Sequence, residues 1–84
     1  MNEHLMHALL YAALFLETST EDECDPDLAV KELEGIAWSL RQLSDVEQEE
    51  FRAFARHEAE GHPVRAVAAE IVALVDGLLP TDDE

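Results

Sequence analysis

Apolar positions in this chain recur at spacings of three and four in four separate runs, and no run shows the Val/Ile/Thr alternation of a strand. In the first run Leu5, Met6, Leu9, Leu10, Ala13, Leu14 and Leu16, joined by Tyr11 and Phe15, wrap well past a single stripe. A helix over about 3–17 with that much apolar surface is buried on more than one side, by its own bundle or by a second copy. Asn2 stands where an N-cap belongs. The second run places Ala29, Leu33, Ile36, Ala37, Leu40 and Leu43 on one face of a helix over about 26–43. Its start is written in Asp25-Pro26-Asp27: a capping carboxylate, a proline at the first helical position, and an acid against the positive end of the helix dipole.

The sequence "SDVE" opens a third helix, over about 45–60, as a capping box between Ser44 and Glu47. Phe51, Phe54 and Ala55 form its inner stripe, and Gly61 is expected to end it in a left-handed turn. The fourth helix, about 63–79, is expected to carry Pro63 at its first position and Val64, Val67, Ala68, Ile71, Val75 and Leu78 on its inner face, with Pro80 closing it. Gly35, inside the second helix, suggests a close helix crossing. The sum is an all-α, single-domain, four-helix antiparallel bundle spanning 1–84, with a solvated acidic tail over 80–84.

Composition narrows the partners. Twenty acids against five Lys and Arg leave a net charge of −15. That excludes a basic face for nucleic acid and disfavours anionic membranes, while a partner with a basic surface would be steered toward the protein. The lone Cys24 can form no internal disulfide, and the N-terminal apolar run lacks the basic flank and cleavage site of a secretory signal. The expected location is cytoplasmic.

Candidate chemistry thins out quickly. "HEAEGH", His57 to His62, resembles the zinc-protease pattern but spaces its histidines five apart, about 140° around a helix. The expected reading is structural, with His62 near the cap of the fourth helix. His4 and His7 share a helix face, yet no Cys or second His pair is placed to complete a metal site. "DECDPDLAVKEL" does not follow the calcium-loop register. Cys24 sits among carboxylates, which oppose a thiolate. No cofactor, metal or enzymatic activity is expected.

Two features remain unexplained by folding alone. Trp38 lies well over 100° from the apolar stripe of its helix, among Lys31, Glu34, Arg41 and Gln42, as an interface anchor would. Between the first two helices, Glu17, Glu21, Asp22 and Glu23 have no evident structural task.

The segments "ALFLETSTEDECDPDLAVKELEGIAWSLRQLS" and "EQEEFRAFARHE", within residues 13–58, resemble small acidic all-helical bacterial immunity proteins of polymorphic or contact-dependent toxin systems. The acidic four-helix immunity proteins of nuclease bacteriocins are similar in size and charge; they carry a tyrosine pair where this chain has Tyr11 alone. The resemblance implies an antitoxin role: a cognate toxin held through acidic residues, here Glu17, Glu21, Asp22 and Glu23, with Trp38. The alternative is a homodimerising structural or adaptor module whose seam would draw on Leu9, Leu10, Tyr11 and Phe15.

Overall fold

A computed structural model describes residues 1–80; the tail residues 81–84, expected to be solvated, lie outside the described residues. Four helices make up the fold: α1 (Glu3–Thr18), α2 (Pro26–Arg41), α3 (Asp45–Gly61) and α4 (Arg65–Leu78), an all-α four-helix bundle.

Helix starts follow from local chemistry. The Asn2 side chain accepts the His4 and Leu5 amides at 2.7 and 3.1 Å. Asp25 does the same for Asp27 and Leu28, with Pro26 behind it. Both halves of the Ser44–Glu47 box form: the Glu47 amide donates to the Ser44 hydroxyl at 3.1 Å and the Ser44 amide to the Glu47 carboxylate at 3.4 Å.

Helix ends differ from the sequence expectation. Gly61 is the last residue of α3, and among the described residues no glycine has positive φ. The helix is stopped instead by Pro63, which pushes the preceding residue out of the helical region; His62 adopts φ −78°, ψ 132°. Pro63 therefore lies ahead of α4 and not at its first position. Extended Val64 caps that helix without a side-chain acceptor, and its side chain is 50% exposed, outside the stripe. The imidazole of His62 takes the Val64 amide, donated to Nδ1 at 3.0 Å. α2 also ends two residues early, at Arg41. Gln48 ties down that corner by donating through Nε2 to the carbonyls of Arg41 and Leu43.

Side-chain contacts fix the helix directions. Met1 and Tyr11 of the first helical stretch meet Glu50 and Glu58 of α3 in the same order along both, so α1 and α3 run parallel. α3 and α4 pack together across a connection of only three residues (62–64), and Arg52 donates to the Leu79 carbonyl just past α4, so that pair is antiparallel. α1 and α4 each pack on all three other helices, whereas α2 and α3, joined by three residues (42–44), scarcely touch. The core therefore gathers around the α1–α4 diagonal. Phe51, Leu10 and Ile71 are fully enclosed there, with Met6, Leu14, Leu40, Leu74, Val75, Leu78 and Leu79 around them. Ala13, Ala37, Ala55 and Ala59 complete the core, letting the helices approach closely where they cross.

Gly35 takes no part in such a crossing. A methyl group added there would meet no heavy atom within 4 Å, and the same is true of Gly77. Both are helical glycines that sacrifice backbone entropy with no steric return. Gly35→Ala should therefore raise the unfolding free energy by about 0.5–1 kcal/mol in a urea titration. A loss of stability would show that the position needs its space after all.

Candidate functional site

The connection between α1 and α2 is built by its own side chains. Thr18 and Ser19 donate to the carbonyls of Leu14 and Leu16, capping the end of α1. The Glu23 and Cys24 amides both donate to the Thr20 carbonyl at 3.0 Å, closing a tight turn. The Glu23 carboxylate accepts the Thr20 amide at 3.0 Å, so it has a structural task that the sequence did not reveal. Glu17, Glu21 and Asp22 are exposed, and among the described residues none of the three pairs with a base. Glu17 also stands in the last turn of α1, at the negative end of the helix dipole, with no base in that turn.

Trp38 is 65% exposed, as its angular position foretold. It lies twelve residues from the start of α2, about 18 Å along the axis, so it does not touch the acidic turn. A groove of about 460 Å³ lies between α2 and α4. Its floor is Val30, Leu33 and Ala37 of α2 with Ala73, Leu74 and Gly77 of α4. Glu17 lies at one side, and Glu34 and Arg41, the helical neighbours of Trp38, also line it. The groove thus holds Glu17, an apolar trough and Glu34, and the indole stands beside its α2 wall.

The groove escaped sequence reasoning because it forms between α2 and α4, far apart in the chain. The one available signal was Val30, an apolar residue beside the core stripe, which is 55% exposed. A second acidic depression, of about 450 Å³, lies on α3, where Val46 stands 69% exposed among Asp45, Glu49 and Glu50. Two of the five bases, Arg52 and Arg56, are already engaged with Glu49, each at 3.4 Å.

The proposed seam residues separate. Leu10 is fully buried in the core and belongs to no surface. Tyr11 turns toward α3, donates to Glu58 Oε1 at 2.9 Å and lies against the His7 ring, centroids 4.6 Å apart. Leu9 is half-buried against the core, and Phe15 alone of the four stands well out, 50% exposed. His57 is exposed on α3, and among the described residues no three His, Cys, Asp or Glu side chains converge as a metal site. No helix among them is long and apolar enough to cross a membrane. Comparisons with protein-family models, curated proteins and solved structures found no match to this chain.

Burial first, then the hydrogen bond to Glu58 and its negative charge, push the Tyr11 phenol above its ordinary value of 10.0. A raised phenol means that the folded state holds its proton longer than the unfolded chain does. The associated stability is whole below pH 10 and is lost as pH rises through the folded value. Tyr11 is the sole tyrosine, so ultraviolet titration reads it directly. Ionisation should come later than in free tyrosine and move part of the way back in Glu58→Gln, where burial remains. A phenol titrating at its ordinary value would show that the contact does not persist in solution.

Proposed function

We propose that this protein is a non-enzymatic binding protein that neutralises a basic protein partner, such as a cognate toxin, through its acidic surface. The observation that supports this reading is the groove between α2 and α4, an apolar trough lined by Glu17 and Glu34, with the exposed indole of Trp38 beside it, one helical turn from Glu34 and Arg41. An apolar side chain of the partner would fill the trough while a neighbouring lysine or arginine meets Glu17 or Glu34. Trp38 would supply the rigid apolar contact that dominates affinity at such interfaces. Glu21 and Asp22, exposed in the turn that follows α1, act at longer range by drawing the partner in. Arg41 restricts where a cation can sit, which favours particular partners over any polycation.

Tagged protein incubated with lysate of the source cell at low salt, then eluted by a salt gradient, tests the reading. One basic protein retained late and near stoichiometrically is the expected result. Trp38→Ala should then weaken binding by about 30-fold, the equivalent of ~2 kcal/mol at a central anchor. Glu17→Gln with Glu21→Gln and Asp22→Asn should slow association by up to about tenfold at low salt and little at high salt. Gly77→Leu, which grows a side chain into the groove, should weaken binding without unfolding the domain. A smear of unrelated basic proteins leaving early, insensitive to these substitutions, would refute the proposal.

A further inference from the structure

From His4 to Leu16 the chain carries no Asp, Glu, Lys or Arg, although twenty acids crowd the rest of it. One side of that stretch is used by the core: Met6, Leu10, Ala13 and Leu14 point inward. The opposite side of α1 should then be the polar side of an amphipathic helix. It is not. Leu5 is 66% exposed, Phe15 is 50% exposed, and Ala8 and Ala12 between them are exposed as well. Spaced three, four and three, these residues form one outward strip of the kind that packs against another helix.

The strip has an internal symmetry. Leu5 and Phe15 are equidistant from position 10, and so are Ala8 and Ala12. If two copies of α1 cross antiparallel about a two-fold axis at that position, Leu5 of each copy faces Phe15 of the other. Ala8 then faces Ala12. The alanines let the helix axes approach to about 8 Å, and the large side chains close both ends. A pattern that complements itself on rotation is what an isologous dimer requires.

Charge selects the same occupant. A basic partner would find no carboxylate on this face. A second copy, by contrast, can approach only where its own acids are absent, since every other helix carries carboxylates outward. We infer that the outward face of α1, through Leu5, Ala8, Ala12 and Phe15, is an antiparallel homodimer seam. It is independent of the α2–α4 groove and leaves that groove open. α1 is 16 residues long, hence about 24 Å by ~10 Å across. That strip is well below the roughly 800 Å² per partner of a standard stable interface, so the dimer is weak and depends on protein concentration. Each copy carries a net charge of −15, so added salt screens the repulsion between copies and strengthens the dimer.

Light scattering on the purified protein tests this with no other partner present, so its outcome is separate from that of the groove. At about 1 mM protein and ~1 M NaCl the mass should approach twice the 9.4 kDa of one chain, and it should fall at ~0.01 M NaCl. Ala8→Glu, at an exposed position, should give a monomer with unchanged helicity by circular dichroism. Adding Ala12→Lys should restore the dimer at about 0.15 M salt, because antiparallel pairing sets the new carboxylate against the new ammonium. A wild-type monomer under all conditions would overturn the inference. So would a dimer indifferent to Ala8→Glu, or one that Ala12→Lys fails to restore.

Discussion

Twenty carboxylates and five bases have to be reconciled with one small core. An unpaired charge cannot be buried in a domain whose whole stability is a few kcal/mol, so each acid must face water, a base or the positive end of a helix. Among the described residues no polar or charged residue is buried. Asp25, Asp27, Asp45 and Glu47 lie at helix starts, where backbone amides and the dipole favour them. Glu49 gathers two arginines, and Glu58 accepts from a tyrosine. Among the acids that remain, solvated and without a partner in the described residues, Glu17, Glu21 and Asp22 cluster at one turn of the chain.

The same constraint shapes the core. With so many outward positions given to acids, only narrow stripes are left to point inward. α1 is the exception, apolar nearly all round, and it takes the central place with α4. α2 and α3 pack on opposite flanks of that pair. Alanines at four of the core positions draw the helices together, so a few large side chains, Phe51 above all, can fill the centre. Separating α2 from α3 has a further effect: the side of α2 that faces α4 is left partly open, and this is where the groove lies.

Much of this was legible in the sequence, and the parts that were not have separate physical causes. Helix starts depend on residues two or three apart, and Asn2, Asp25 and the Ser44–Glu47 pair behave as written. The end of α3 involved a competition between Gly61, which permits a stop, and Pro63, which imposes one a residue later. A periodicity argument orients Trp38 correctly because its helix has a single clear stripe. It fails for Leu10 and Tyr11, where an apolar circumference gives no direction. The task of Glu23 and the open space around Gly35 needed coordinates, as did the groove, whose walls are forty residues apart in sequence.

Glu50, which holds the Met1 ammonium at 2.8 Å, and Arg52, which reaches the Leu79 carbonyl, are near neighbours on α3. Residues 1 and 79 therefore lie at one end of the bundle, and the acidic turn lies at the other. Residues 1 and 79 reach their shared end on different sides of α3, since residues two apart on a helix do not share a face. A linker long enough to pass around α3 could join residues 1 and 79, and the chain could be reopened within the exposed turn at 20–24 without cutting a helix. Surface attachment at either of those residues would, for the same reason, present the acidic end outward.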